Sequence, residues 1–156
     1  MSKLDIRLAR PDDRLTLIEL QRRASLASET GDVRQQLLDD PDIIDLDEEM
    51  LANNEVIVAE IGDRIVGFAT IIAHEGEDAE LEGLFVEPSE WRKGIATQLV
   101  HAIVREAGAW GANRLHVMAN QNVLGFYQAT GFTKIGERKT QLGPVGFLMV
   151  RPVKPQ

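Results

Sequence analysis

Apolar residues recur with two different periods along this chain, and the order of these periods most constrains its fold. They alternate or run together in "DIRLARP", "EVIVAEI" and "RIVGFATIIAH", which is typical of strands. They recur every three or four residues in "RLTLIELQRRASLA", which is typical of an amphipathic helix. Because strand and helix periods follow each other without repeats or low-complexity linkers, the sequence predicts a mixed α/β domain.

The second half of the chain continues this alternation. Strands are predicted at "AELEGLFV", ended by Pro88, at "RLHVMAN", and as a final pair at "FTKIGERK" and "VGFLMVRP". Helices are predicted from Gly94 through Ala109 and at "VLGFYQATG", closed by Gly131. The stretch Ser28 to Asn54 is less regular: "DVRQQLLDD" could form one short helix and "DIIDLDEEMLANN" another. The predicted order is β-α-α-β-β-β-α-β-α-β-β.

Size and charge restrict the classes of function. A chain of 156 residues with 44% hydrophobic composition predicts a single domain, 1–156, with a core of its own. Seventeen basic against 25 acidic residues give a net charge of −8, which disfavours nucleic acid as a partner. The start "MSKLDIRLARPDD" has no apolar signal core, and no run approaches the ~18 apolar residues of a membrane span. We therefore expect a soluble, cytoplasmic protein without a membrane partner.

Cysteine and histidine usage restricts the chemistry. The absence of cysteine excludes a thiol nucleophile and cysteine metal sites. His74 and His116 lie at strand ends, where a lone histidine is more often structural or exposed than catalytic. No His, Asp and Glu residues have metal-ligand spacing, so no metal is expected.

One segment, "VEPSEWRKGIATQLV", combines a strand end, two cations, a glycine and a helix start. A helix N-terminus exposes unpaired N–H groups and the positive end of its dipole. Gly94 would let a phosphate approach the backbone, with N–H groups from Ile95, Ala96 and Thr97 and charge from Arg92 and Lys93. The alternative is an ordinary solvated turn. Neither the P-loop spacing nor the three-glycine dinucleotide motif is present.

The same segment carries a family resemblance. "EGLFVEPSEWRKGIATQLV" followed by "LHVMANQNVLGFYQATGF" resembles the GCN5-related N-acetyltransferase (GNAT) superfamily. "IRLARPDD" and "VIVAEIGDRIVGFATI" look like its opening and its second and third strands, so the likeness covers nearly the whole chain. It implies a GNAT fold with a splayed central sheet, and acetyl-coenzyme A held between the fourth and fifth strands. It also implies acetyl transfer to an amine of a small molecule or peptide, and a possible homodimer.

The chain departs from the family pattern at one point. The pattern Gln/Arg-x-x-Gly-x-Gly/Ala puts Trp91 in the first position. An alignment on the aromatic-Arg pair instead deletes a residue before Gly94. Gly94 and Ala96 match the pattern in both alignments. The individual roles of Trp91, Arg92 and Lys93 depend on which alignment is correct.

The resemblance also implies site residues. Tyr127 corresponds to the acid that protonates the departing thiolate, and a phenol of reference pKa near 10 is protonated at neutral pH. Its alternative role is to pack, with Phe126, on the sheet. Asn120 could bond the coenzyme amide or cap the following helix. The expected coenzyme contacts are Leu84, Phe85, Val86, Arg92, Lys93, Gly94, Ile95, Ala96, Thr97, Asn120 and Tyr127.

Two glutamates are candidates for the base. Glu80 and Glu82 are two apart in a predicted strand and share a face, where each raises the proton affinity of the other. Glu82 is preferred because the fourth strand splays near the acceptor, while Glu80 matches the base position in some family members. The alternative is that both simply face solvent.

The acceptor and the rival functions remain open at this point. The acidic run from Asp39 to Glu49 falls where the superfamily places its acceptor-binding helices and loop, which makes a cationic acceptor such as a polyamine, an aminoglycoside or a lysine-rich peptide one candidate. One rival is a non-catalytic acyl-coenzyme A sensor with the same fold. The other is a structural or partner-binding domain that retains only the fold.

Overall fold

A computed structural model of the chain describes residues 3–140 and 143–153. Within these ranges it contains seven strands and five α-helices. The strands are β1 Leu4–Leu8, β2 Val56–Ile61, β3 Arg64–Ala73, β4 Asp78–Val86, β5 Arg114–Ala119, β6 Thr133–Thr140 and β7 Gly143–Pro152. The helices are α1 Arg14–Ser28, α2 Gly31–Asp39, α3 Glu48–Ala52, α4 Ile95–Ala109 and α5 Leu124–Ala129.

The element order confirms the mixed α/β class and adds one short helix to the predicted order. The addition is α3, which has five residues and lies in the stretch whose sequence pattern was least regular. Asp47 caps it, because the Asp47 carboxylate accepts from the backbone N–H of Glu49 at 2.9 Å. Three short 3₁₀ turns, each begun by a proline, occupy Pro11–Asp13, Pro41–Ile43 and Pro88–Glu90.

The seven strands form a mixed sheet in the order β1-β2-β3-β4-β5-β7-β6. Neighbours are antiparallel in the pairs β1–β2, β2–β3, β5–β7 and β6–β7, whereas β4 and β5 are parallel. The parallel ladder joins Asp78–Leu81 of β4 to Arg114–Val117 of β5 and ends there, although β4 continues to Val86. A ladder that ends in the middle of β4 is what the expected splay of the sheet requires.

The chain divides into two compact units. The first comprises Met1–Thr70 and Gly83–Leu99. Its core contains Leu17 and Leu20 of α1, three residues apart on one helix face, with Val58 of β2 and Phe68 of β3. Phe85 of β4 packs against this core, with its ring centroid 5.2 Å from that of Phe68. The helix period and the strand runs seen in the sequence thus supply one apolar cluster.

The second unit comprises Ile71–Glu82 and Val100–Gln156. Burial follows the helix period in α4, where Ile103 and Ala107 are fully buried, and alternates along β5, where Leu115 and Val117 are buried. Met149 of β7 is buried as well. The alternation along β5 leaves His116 on the other face of the strand, partly exposed.

Candidate functional site

The residues predicted to bind coenzyme and catalyse transfer divide between the two units. Leu84, Phe85, Val86 and the segment from Arg92 to Thr97 belong to the first unit. Glu80, Glu82, Asn120 and Tyr127 belong to the second.

The segment Trp91–Gly94, hereafter the α4 loop, connects the Pro88–Glu90 turn to α4, and all four of its residues are exposed. The Trp91 indole N–H donates to the carbonyl oxygen of Val86, the last residue of β4, at 2.8 Å. This bond ties the loop to the strand end that precedes it. The contact of Trp91 with the end of β4 is the same in both alignments with the family pattern.

The backbone of the α4 loop is wound in an unusual way. Arg92 has φ 67° and Gly94 has φ 83°, both in the left-handed region. A Cβ built at Gly94 would have no protein atom within 4 Å, so the space beside this glycine is free of protein. The backbone conformation, rather than a protein neighbour, favours glycine at this position.

The first turn of α4 presents backbone donors next to this glycine. Gln98 N–H donates to Gly94 O at 3.1 Å, so the N–H groups of Ile95, Ala96 and Thr97 precede the first bond of the helix ladder. The positive end of a 15-residue helix lies behind these donors, and these are the features that the sequence predicts for an anion site. Anion binding there stays a prediction.

The two cations of the α4 loop differ in their surroundings. Lys93 Nζ lies 2.7 Å from a Glu90 carboxylate oxygen, and Arg64 lies 3.3 Å from the other oxygen. The hydrogen bond from Lys93 lowers the pKa of Glu90, so this carboxylate stays charged and holds the lysine. Within residues 3–140 and 143–153, the Arg92 guanidinium makes no hydrogen bond or ion pair. Arg92 is therefore the cation of the loop that can turn to a ligand.

A glycine of β3 allows α4 to start close to the sheet. A Cβ at Gly67 would lie 3.1 Å from Leu99 Cδ1, 3.1 Å from the backbone oxygen of Phe85 and 3.4 Å from Ile95 Cγ2. Ile95 and Leu99 are buried in α4, and Val86 is buried at the end of β4. Gly67 thus permits the side chains of the helix start to pack closely on β3.

A buried carboxylate stands between β4 and the α4 loop, and sequence reasoning missed its partner. Glu87 is 9% exposed. Arg23 of α1 donates to both its oxygens, with Nη2 to Oε2 at 2.7 Å and Nε to Oε1 at 3.0 Å. The Arg23 hydrogen bonds lower the pKa of Glu87. The residues are far apart in the sequence, and no local pattern links them.

Tyr127 lies in α5 with 6% of its surface exposed. Its ring packs edge-on against Phe126 and Phe132, with centroids 5.1 and 5.4 Å away. Burial raises the pKa of its phenol to about 12, so the phenol is protonated at neutral pH. The ring thus packs between two aromatic neighbours, and a role as hydrogen-bond donor stays a prediction.

Asn120 holds the turn that leads from β5 to α5. Its side-chain oxygen accepts from the backbone N–H groups of Asn122 and Val123 at 2.9 and 3.2 Å. These bonds form an Asx turn in the connection ahead of α5. The N-cap of α5 is Val123, so Asn120 does not cap the helix as the alternative expected. The coenzyme contact of Asn120 stays a prediction.

Glu80 and Glu82 lie on the same face of β4, as predicted. Along Asp78–Glu82 the buried positions are Ala79 and Leu81, while the three acidic residues are on the other face. Glu82 is exposed. Glu80 Oε1 lies 2.6 Å from His74 Nε2. His74 is exposed, in line with the expectation for a strand-end histidine, and it is also paired with a candidate base.

Two absences apply to the described part of the chain. No group of three or more histidine, aspartate or glutamate side chains there is arranged to hold a metal ion. None of the helices described there combines the length and apolar character required to span a membrane.

The chain was compared with known proteins. The sequence model described as "Acetyltransferase (GNAT) family" matches residues 18–132. Among curated proteins, an uncharacterized N-acetyltransferase of Mycobacterium bovis is 35% identical over 91 residues, which are 56% of this chain and 58% of the relative. A counterpart in Mycobacterium tuberculosis H37Rv matches equally. The matched region thus spans 58% of the length of these curated relatives.

Solved structures agree in fold. An acetyltransferase of the GNAT family from Streptococcus pneumoniae has a TM-score of 0.76 at 23% identity, covering 97% of this chain and 100% of that one. The PaiA N-acetyltransferase from Thermoplasma acidophilum, in complex with coenzyme A, has a TM-score of 0.74 at 18% identity, covering 96% and 99%. At these identities the likeness concerns the fold.

Proposed function

Since this chain belongs to the GNAT family of acetyltransferases, we propose that it is an acetyl-coenzyme A-dependent N-acetyltransferase acting on a primary amine. The observation that carries the proposal is the start of α4. There, a glycine at φ 83° and a helix N-terminus adjoin Arg92, whose guanidinium has no hydrogen-bond or ion-pair partner among the described residues. Such an arrangement suits a pyrophosphate, the negatively charged group near the centre of coenzyme A.

We propose the following roles in coenzyme binding. Backbone N–H groups from Gly94 to Thr97 bind the pyrophosphate oxygens, and Arg92 adds a mobile cation. Lys93 contributes less, because Glu90 already holds its ammonium. The backbone of Leu84, Phe85 and Val86 binds the pantetheine arm in the manner of an added strand, and Asn120 bonds an amide of that arm.

The reaction we propose needs no covalent enzyme intermediate. A neutral amine attacks the thioester carbonyl, the C–N bond forms, the C–S bond breaks, and the coenzyme leaves as thiolate. The amine proton passes to a carboxylate on β4, Glu80 or Glu82, directly or through water. The sulfur carries the developing charge and gains from a nearby hydrogen-bond donor.

Tyr127 is proposed as that donor. A phenol with a pKa of about 12 is a weaker acid than an ordinary thiol, whose pKa is about 8.5. Tyr127 would therefore stabilise the thiolate by a hydrogen bond and retain most of its proton, rather than transfer it completely. This differs from a full general acid and still lowers the barrier to C–S cleavage.

A cationic acceptor is proposed from the acidic run. The carboxylates of Asp39, Asp40, Asp42, Asp45, Asp47, Glu48 and Glu49 are all exposed. Asp40 and Asp47 accept hydrogen bonds from backbone N–H groups, and Asp39 accepts one from Gln35 Nε2. Asp45 forms an ion pair with Arg14. The net negative charge of the run favours a polyamine, an aminoglycoside or a lysine-rich peptide. The homodimer and the cytoplasmic location stay predictions from the sequence.

The test begins with coenzyme A binding by calorimetry and thermal shift. Ligand at 100 times its Kd should stabilise the protein by about 2.7 kcal/mol. Acetyl-coenzyme A is then offered with a panel of amines, and the release of free thiol is followed. Transfer to at least one amine is expected. Binding without transfer to any amine would favour the sensor, and no binding at millimolar coenzyme would favour the structural domain.

A further inference from the structure

We infer that His74 is a positioning residue for the proton-accepting group, and that it acts through Glu80. This inference rests on the proposed acetyl transfer and assigns its base to Glu80 rather than Glu82. The observation is the 2.6 Å contact between His74 Nε2 and Glu80 Oε1, between side chains that are 47% and 30% exposed.

The turn between β3 and β4 explains why this histidine reaches this glutamate. The backbone N–H of His74 donates to Asp78 O at 2.9 Å, which sets His74 beside Asp78. Gly76, with φ 70°, provides the left-handed residue of the tight connection. Glu80 is two residues beyond Asp78 on the same face of β4, and a diagonal neighbour is within reach of a long side chain.

The other charged side chains near Glu80 on this face of the sheet have contacts of their own. Asp78 on the same face is bound by Arg114 at 2.8 Å and lies 3.5 Å from His116. His116 is opposite Glu80 in the parallel ladder, and its Nε2 pairs with Asp78 Oδ2. Glu82 is the next acidic residue along the strand. The cluster thus contains two carboxylate–histidine pairs, of which the His74–Glu80 pair is the shorter.

The pair is suited to holding a base in place. A glutamate side chain has several rotamers, and a hydrogen bond from the imidazole to Oε1 selects one of them. The second carboxylate oxygen, Oε2, keeps its capacity to accept the proton of an amine or of a bridging water. His74 would then raise the fraction of time in which Glu80 is aligned for proton transfer, without itself contacting the substrate.

A double-mutant cycle tests the inference, and kcat/KM for the amine is measured for each variant. His74→Ala should lower it by about two- to fivefold, the effect of losing a pair whose side chains are 47% and 30% exposed. His74→Gln, which keeps an N–H donor, should recover most of the loss. In a Glu80→Gln background, His74→Ala should have no further effect, because the residue it positions is gone. Equal effects of His74→Ala in both backgrounds would overturn the inference.

Two controls separate this inference from the proposed function. His101→Ala removes an exposed histidine of α4 and should leave kcat/KM unchanged. Coenzyme affinity should be the same in all variants. A wild-type protein that binds no coenzyme or transfers no acetyl group refutes the proposed function. A wild-type protein that transfers acetyl, with full activity in folded His74→Ala, refutes only the role of His74.

A readout that needs no substrate completes the test. Nitrogen-15 spectra of the imidazole distinguish its tautomers. The neutral ring of His74 should carry its proton on Nε2, facing Glu80, and Glu80→Ala should abolish that preference. A wild-type ring with the proton on Nδ1 would contradict the inferred hydrogen bond, whatever the activity.

Discussion

The indole N–H of Trp91 donates to the carbonyl oxygen of Val86 at 2.8 Å, so the first residue of the α4 loop is bonded to the last residue of β4. A polar residue stands at this place in one register of the family pattern. Here a larger side chain reaches back to the strand and restrains the loop. The loop is thereby organised before any ligand arrives, which reduces the entropy cost of binding.

Trp91→Phe should therefore weaken coenzyme A binding several-fold, roughly the effect of one lost hydrogen bond, while the protein stays folded. Trp110→Phe is the matched control, because the indole of Trp110, the residue after α4, also donates a hydrogen bond, to Glu106 of α4 at 3.1 Å. In Trp110→Phe, Trp91 is the only remaining tryptophan, and its fluorescence should change on coenzyme addition. An unchanged Kd in Trp91→Phe would mean that the bond does not organise the site.

Gly94→Val should abolish most coenzyme affinity at a modest cost in stability. The cost arises from φ 83°, which is unfavourable for a β-branched residue, and not from a clash, since no protein atom lies within 4 Å. Gly111→Val is matched in both respects, with φ 87° and no atom within 4 Å. Calorimetry should show a large loss of affinity only for Gly94→Val. Equal affinity in the two variants would return Gly94 to an ordinary turn.

Local sequence patterns predicted α4 and the strands around it with small errors. The apolar period of α4 is regular, and the helix was expected from Gly94 through Ala109, against Ile95–Ala109 in the structure. The region from α2 to α3 was harder, because α2 buries only Leu37 and α3 only Leu51. With one buried residue each, these helices show no apolar period in the sequence. Helices this short are also marginal alone and form through tertiary packing, which a local pattern does not reveal.

The parts of the candidate site that the sequence did not predict are side-chain contacts that no local sequence pattern indicates. The Trp91–Val86 bond and the His74–Glu80 pair each depend on how a turn folds back. Arg23 and Glu87 are 64 positions apart. The sequence signal that could have pointed to His74 is the glycine at position 76, which permits a tight turn and brings the histidine beside the acidic face of β4.

Glu87→Gln should destabilise the protein by about 1–3 kcal/mol at pH 7, the range for a hydrogen bond to a charged and largely buried group. The Arg23 hydrogen bonds lower the pKa of Glu87 from its usual 4.5. The stabilisation is therefore complete well above pH 4.5 and is lost as pH falls through the lowered pKa. Urea unfolding of both proteins should show a difference that shrinks in acid, because protonated Glu87 resembles glutamine.

The control for this variant is Glu137→Gln. Glu137 forms an exposed pair with Lys134 at 2.7 Å, and an exposed pair contributes little. Its unfolding free energy should stay within about 0.5 kcal/mol of the wild type. A Glu87→Gln difference that is constant over the whole pH range would show that the carboxylate charge is not its cause.

Tyr127→Phe removes the phenolic oxygen and retains the ring contacts with Phe126 and Phe132. The ring packing should therefore survive, and coenzyme affinity should change little. The rate of acetyl transfer should fall by about 10²–10³-fold, as for the loss of one donor to a developing charge. Because product release can mask a chemical step, the comparison is made in a single turnover at saturating acetyl-coenzyme A.

The pH dependence of the same comparison tests whether the phenol acts in its protonated form. With its pKa raised to about 12, the phenol stays protonated throughout the neutral range. The ratio of wild-type to Tyr127→Phe rates should thus be constant between about pH 6 and 9, a range well below that pKa. Phe126→Leu, a change to the neighbouring ring, is the packing control and should lower the rate far less. Single-turnover rates within about twofold of each other, far below the loss expected for a donor, would make Tyr127 a packing residue of α5.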